Sequence, residues 1–470
     1  MRYDVLVVGG GTAGCVVAAR LSEDPARTVC LVEAGPDYGP PGDAWPADLR
    51  SAHTLASSHD WGYEGGRSSS RARVIGGCSA HNACAIVWGS REDYDEWRPW
   101  SYAELEPFLR RAERELGTRA FADDELTPWH RALLGGAGSV GIPRLADLND
   151  LDATEGAAPF PLNARGTTRW NTAFAYLDAA RARPNLTIVA ETLVDRVVVE
   201  RGTARAVESD GGVLEAERIV LAAGAYASPA ILLRSGVGPA DELRRHGVEQ
   251  AGDELPVGEG LVDHPGVGVA WTPSPELERA MGEHDVDGFF EPQILVRLRS
   301  ANCPDGTWDA HLLPWVTRSP ERARYESSCV AYALKPHSRG RVGLRSRDPR
   351  VGPAIDHGFL RDGRDAGVIS DAVQALRQIV ASAPVAPFVT GEERPGDEEL
   401  DTHLRANVRG IFHPVATCAL GRVVDGDGAV LGLDGLFVAD ASVIPTIPRA
   451  NTNLSTVAVA ELLAERLAGR

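Results

Sequence analysis

The 470-residue sequence predicts an α/β protein whose main domain is discontinuous and carries an inserted domain with an antiparallel sheet. Three observations carry this expectation. A short apolar run at 3–8 leads into a glycine turn, a helix of small residues and a second apolar run, which is a βαβ unit. Strand-like apolar segments return in the middle of the chain and near its end. Between them, residues 266–350 hold alternating stretches of the kind a half-buried antiparallel strand shows.

Residues 3–8 are apolar and β-branched, as a parallel strand buried on both faces requires. Residues 13–21 suit a helix packed closely on that strand, and residues 28–32 form the next strand, ending in Glu33-Ala34-Gly35. The turn between carries Gly9, Gly11 and Gly14 in GxGxxG spacing. Gly9 permits the tight turn, Gly11 lets the backbone approach a pyrophosphate, and Gly14 lets the helix pack against the strand. The helix N-terminus faces the negative charge. Glu33 can accept hydrogen bonds from a ribose diol. The unit is Rossmann-like, and it does not by itself separate FAD from NAD.

Downstream, residues 102–116 read as a helix and 117–170 as loop-rich. Residues 186–199 and 213–221 are strand-like and lead into Ala222-Ala223-Gly224-Ala225. Alternating segments stand at 293–298 and 339–344, a helix at 366–381, a late strand at 436–440 and a terminal helix at 456–467. The expected organisation is therefore a cofactor domain from 1–101, 186–265 and 406–470. The substrate domain takes 102–185, with helices and lid loops, and 266–405, with the antiparallel sheet.

The net charge of −18, without any basic block, disfavours nucleic acid and anionic membranes as partners. No apolar run reaches the length of a membrane span and no leader precedes the first strand, so a cytoplasmic location is expected. The seven cysteines are odd in number and form no CxxC pair, so neither a disulfide framework nor a metal site is expected. Lys335 is the only lysine, the other basic side chains being arginine.

Five blocks then resemble, in order, those of the glucose–methanol–choline (GMC) oxidoreductase family. The first is Arg73-Val74-Ile75-Gly76-Gly77-Cys78-Ser79-Ala80-His81-Asn82, continuing to Asp93-Tyr94-Asp95-Glu96-Trp97. The second is Gly224-Ala225-Tyr226-Ala227-Ser228-Pro229, and the third runs from Val257 to Asp263-His264-Pro265. His413-Pro414-Val415-Ala416-Thr417-Cys418 forms the fourth, and Asp440-Ala441-Ser442 with Asn451-Thr452-Asn453 completes the set. The resemblance implies an FAD-binding Rossmann-like domain and oxidation of an alcohol, with hydride transfer to flavin N5. An oxidase is expected. A dehydrogenase using another acceptor is the alternative, and a hydroxynitrile lyase on the same fold is a third reading.

The choline oxidase branch is the most similar, and there the histidine after the GGCS turn is bonded to the flavin 8α carbon. That position is His81; a histidine packed beside non-covalent FAD is the bland alternative. The resemblance assigns cofactor contacts to Gly9, Gly11, Thr12, Ala13, Gly14, Glu33, Ala34, Arg73, Gly76, Gly77, Ser79, His81, Asn82 and Ala83. It extends them to Val194, Ala223, Gly224, Asp440, Ala441, Asn451, Thr452 and Asn453. His413 and Asn451 resemble the catalytic pair: an imidazole takes a proton at neutral pH, and an amide holds the substrate oxygen. Trp61, Glu291, Ile411, Phe412 and His413 are the expected substrate contacts, Glu291 as the carboxylate of a cation cage. Ala83 and Phe412 replace a serine and a tyrosine of that branch, making the pocket less polar. The 117–170 stretch looks shorter than the usual lid, which would admit a bulkier primary alcohol. His264 is expected to be structural or close to pyrophosphate. The expected substrate is a small-molecule alcohol, either a choline-like amino alcohol or a bulkier primary alcohol. The second partner is molecular oxygen or another acceptor, and a homodimer is left open.

Overall fold

A computed structural model of the protein describes residues 2–122, 124–285, 288–319 and 324–469. Four consecutive buried residues, Val5 to Val8, make β1 (Arg2–Val8) an inner strand, and it lies inside a seven-stranded sheet. It pairs in parallel with β2 (Val29–Val32) on one side and with the strand Gly212–Leu221 on the other. β2 in turn pairs in parallel with Leu186–Val189. Leu436–Val438 joins Gly212–Leu221 in parallel, so the late strand completes the sheet begun at the N-terminus. Helix α1 (Thr12–Leu21) is buried along almost its whole length, each buried valine or leucine stabilising by about 1.5–3 kcal/mol.

The expected strand at 186–199 is two strands on opposite edges of this sheet. Leu186–Val189 sits beside β2, whereas Val194–Glu200 ends an antiparallel meander with Thr203–Ser209 and Gly212–Leu221. Glu191, at φ +52°, takes a left-handed turn between them. Periodicity cannot report that break, because both halves are β-branched.

The second large sheet is antiparallel throughout. Its order is Val389–Arg394, Pro265–Pro273, Arg324–Ala333, Ala310–Ser319, Ile294–Leu298 and Gly156–Pro159, with Arg409–Gly410 added beside Pro265–Pro273. The stretch expected to be loop-rich thus supplies a strand, and also a helix, Pro128–Ser139, announced by Thr127 at its N-cap and proline at its first position. Residues 340–343 pair outside this sheet, in a small three-stranded one with Glu259–Leu261 and Ala354–Asp356.

Each large sheet has its own core. The segment after Leu436–Val438 crosses between them: Val443, Ile444 and Ile447 belong to the first core and Ala450 to the second. Asn451 follows directly, ahead of the terminal helix Thr452–Ala468. Among the described residues, no helix is long and apolar enough to cross a membrane.

Candidate active site

Two glycine turns meet at the end of β1. Gly9 adopts φ +99°, and a Cβ on Gly14 would lie 1.8 Å from the Gly9 carbonyl oxygen, so the helix can approach only because Gly14 has none. Gly11 precedes α1 and makes no side-chain cap, leaving the first N–H groups of the helix, at Thr12 and Ala13, for another acceptor. Glu33 is buried, its oxygens accepting from the Gly10 and Gly35 N–H groups at 2.8 Å each, and burial raises its carboxyl pKa. It braces the turn that the motif describes. Ala34 presents its carbonyl to Arg73 Nε at 3.1 Å.

The second turn, at 76–82, is built onto the first. Gly76, at φ +91°, donates its N–H to the Gly10 carbonyl at 2.8 Å. A Cβ on Gly77 would stand 2.6 Å from Gly11 Cα, so this contact between turns requires glycine. Ser79 Oγ donates to the Gly76 carbonyl at 2.6 Å and accepts from Thr172 N–H at 3.1 Å, pinning the turn from behind. Asn82 Oδ1 accepts from Cys84 N–H at 3.0 Å, closing a local turn over Ala83. His81 is buried with Nε2 unpartnered. Burial, with the Arg169 guanidinium adding to it, holds its pKa below the ordinary value and keeps the ring neutral.

Arg169 is a residue that sequence reasoning missed. Fully buried, it donates to the Ala80 carbonyl at 3.0 Å and the Thr54 carbonyl at 2.6 Å, fixing the backbone that carries His81. Its partners are carbonyls distant in sequence, which leave no spacing to read.

The middle and C-terminal blocks are tied through Asp440. Its Oδ2 accepts from Gly224 N–H at 2.8 Å and Ser228 Oγ at 2.5 Å, while Oδ1 accepts from Ser442 N–H at 2.8 Å. Ala223 precedes the helix Gly224–Arg234, Val194 opens its strand, and Ala441 begins the tight turn Ala441–Val443. Thr452 and Asn453 form the first turn of the terminal helix, and Asn453 Nδ2 is buried without a partner.

His413 is positioned by the strand Pro265–Pro273 and the Asp263-His264 pair before it. Asp263 Oδ1 accepts from the His264 N–H at 2.7 Å and the His413 N–H at 2.9 Å, which clamps the two blocks together. Burial raises the Asp263 pKa to about 6, and its Oδ2 is unpartnered. His413 Nε2 lies 3.2 Å from Asn451 Nδ2. Asn451 occupies a helix N-cap but makes no cap bond: its amide turns toward the imidazole, leaving Oδ1 buried and free. Burial, then the neighbouring His264, Arg71 and His311, hold His413 well below the usual histidine range. The His264 ring lies against that of His413, Nδ1 to Nδ1 at 2.9 Å, a contact the sequence did not announce.

The remaining expected residues are more dispersed. Phe412, next to His413, carries φ +72°, a left-handed conformation costly for an aromatic residue. Ile411 donates its N–H to the His264 carbonyl at 3.3 Å and packs against the second core. Trp61 stacks on Tyr63 at 5.6 Å and lies under the Arg73 guanidinium, 4.9 Å away. Glu291 precedes Ile294–Leu298, its backbone bonded to His53 and Val316.

Comparison with known proteins converges on one family. Residues 3–266 and 336–460 match the N- and C-terminal models described as GMC oxidoreductase. The chain belongs to the GMC oxidoreductase family. It is 32% identical to the oxygen-dependent choline dehydrogenase of Yersinia pseudotuberculosis serotype O:1b (strain IP 31758), an alignment covering 100% of this chain and 94% of that protein. The corresponding Paraburkholderia phymatum protein is 32% identical over 100% of this chain and 93% of its own length. Pyridoxine 4-oxidase from Mesorbium loti superposes with a TM-score of 0.88 at 28% identity, covering 100% of both chains. A point variant of Aspergillus oryzae RIB40 formate oxidase, described for the effect of its mutation on FAD modification, superposes at 0.86 with 25% identity, covering 100% of this chain and 98% of that one.

As a GMC oxidoreductase the chain is an FAD-dependent enzyme acting on CH–OH donors. Its residues fit that cofactor. The uncapped N-terminus of α1 suits a pyrophosphate, and the unpartnered polar atoms of His81, Asn451 and Asn453 are buried groups that need a ligand. Among the described residues, no group of three or more His, Cys, Asp and Glu side chains is placed to hold a metal.

Proposed function

We propose that the enzyme oxidises a primary alcohol to the aldehyde, with His413 as general base and Asn451 as the group that holds the substrate oxygen. The observation that carries this reading is the 3.2 Å contact between His413 Nε2 and Asn451 Nδ2. One is a proton acceptor and the other a donor. An alcohol oxygen inserted between them gives its proton to Nε2 and accepts from Nδ2, so a single atom satisfies both. The lowered basicity of His413 keeps it unprotonated and available at neutral pH. Asn451 at a helix N-terminus adds the helix dipole to stabilisation of the developing alkoxide. FAD, when bound, supplies the acceptor for the hydrogen and electron pair leaving the carbinol carbon. Gly11, Gly76, Gly77 and Asn453 would line it, and His81, neutral with Nε2 free, would form the covalent attachment.

Molecular oxygen is the proposed final acceptor, supported by the oxygen-dependent relatives. For the substrate, buried Arg71 weighs against a fixed positive charge. Its field already depresses His413, and it would oppose a quaternary ammonium placed nearby. A neutral primary alcohol is therefore the favoured class. The choline-acting relatives support a second reading, an amino alcohol with Glu291 as its counter-ion.

An anaerobic flavin-bleaching screen across amino alcohols, aromatic alcohols and sugars, followed by oxygen uptake, tests these statements. Bleaching by neutral alcohols is expected. Failure of every alcohol would overturn the reaction, and preference for choline would overturn the argument from Arg71.

A further inference from the structure

We propose that His264 is a positioning residue that sets the tautomer of His413, placing the proton on Nδ1 and leaving the lone pair on Nε2, where the alcohol binds. The proposal rests on the reading of His413 as base and assigns the origin of its direction.

The argument is one of hydrogen-bond parity. His264 Nε2 lies 3.0 Å from the Pro448 carbonyl oxygen, which can only accept, so Nε2 carries a proton. In the neutral ring Nδ1 is then an acceptor. That atom lies 2.9 Å from His413 Nδ1, so His413 must donate from Nδ1. A neutral His413 is left with its lone pair on Nε2, which faces the Asn451 amide. Were His264 in the other tautomer, Nε2 and the Pro448 oxygen would confront each other as two acceptors.

The surroundings keep His264 in this state. It is fully buried, and burial lowers its pKa to about 3. The charged groups facing it are Asp93 and Lys335, of opposite sign, and Tyr332 and His311 lie beyond its ring. Those facing His413 are Arg71 and His311, with Asp263 at its backbone. The Pro448 carbonyl is itself anchored, since Arg449 donates its N–H to Asp93 at 2.7 Å and Lys335 Nζ donates to the Ile447 carbonyl at 3.1 Å.

The arrangement also serves the reaction after proton transfer. When the alcohol proton reaches Nε2, the His413 imidazolium still donates from Nδ1 to a neutral acceptor. That bond strengthens as charge develops. The logic is that of a base oriented by a third group, here an imidazole in place of a carboxylate.

The test uses the holoenzyme labelled with ¹⁵N-histidine, His413 being assigned by the resonances lost in His413→Gln. A neutral His413 protonated at Nδ1 is expected. A proton on Nε2, or on both nitrogens, would overturn the proposal whatever the activity. Stopped-flow anaerobic flavin reduction supplies the second readout. His264→Leu, which removes the acceptor, should lower the rate by about 10²- to 10⁴-fold with little change in KM. His264→Asn, whose amide oxygen can still accept, should recover most of that loss. A wild-type rate in the Leu variant, or no recovery in the Asn variant, would refute the assignment. Activity of His413→Ala tests the base separately, so failure of one reading does not hide in the other.

Discussion

Asp93 receives Arg449 twice, through its backbone N–H at 2.7 Å and through its guanidinium, with Lys335 Nζ 3.0 Å from the same carboxylate. This cluster lies where the two cores meet, flanked by Tyr94 and Ile447 of the first and Leu334 and Ala450 of the second, and it holds residues 447–449, the approach to Asn451. Asp93 has no exposed surface. Burial alone would raise its pKa, and the two cations outweigh that and hold it below the usual carboxylate value. Asp93→Ala should therefore strand buried positive charge and cost about 3–5 kcal/mol in denaturant unfolding. Lys335→Met, at a partly exposed position, should cost less, and equal losses would contradict this ranking.

His413→Ala should slow anaerobic flavin reduction by about 10²- to 10⁴-fold while FAD stays bound. The wild-type rate also carries a pH signature. A base whose pKa is depressed remains unprotonated below the ordinary histidine value of about 6.5. The reduction rate should stay level as pH falls from 8 to 6 and drop only beyond that. Inflection near 6.5 would count against His413 as the titrating base.

If His81 bonds the flavin, protein denatured in acid or detergent should keep its yellow fluorescence on a gel. His81→Ala should release FAD into the supernatant under the same treatment. Free FAD from the wild type would remove the covalent attachment, though not the flavin site.

Buried neutral histidines set an acid limit on stability. His130 is fully buried and its folded pKa is lowered to about 4, chiefly by burial, against about 6.5 unfolded. Below 6.5 the unfolded chain binds the proton and the folded protein does not, so stability falls with pH until about 4. His264, His311 and His413 act in the same direction. Asp263, raised to about 6, acts oppositely and offsets one of them. The melting temperature should fall between pH 6.5 and 4.5; a flat profile would show that these rings are not neutral when folded.

Local chemistry made much of this protein legible in its sequence. The GxGxxG turn, the buried parallel strands and the His81 turn depend on residues close in the chain, because missing Cβ atoms and short-range apolar runs write themselves into spacing. The family blocks point to His413 and Asn451 together, and the fold brings their side chains within 3.2 Å. Other features were out of reach. The split of 186–199 across opposite edges of a sheet, Arg169 behind His81 and the Asp93 cluster all join residues far apart. Their geometry depends on where the two sheets meet. The ring of His264 had no marked partner in sequence, and only its placement between the Pro448 carbonyl and His413 gives it a direction. The sequence by itself determined the glycine turns and singled out the imidazole and the amide that the fold brings together. The tertiary structure decided which nitrogen of that imidazole is free, because hydrogen-bond parity is a property of neighbours in space.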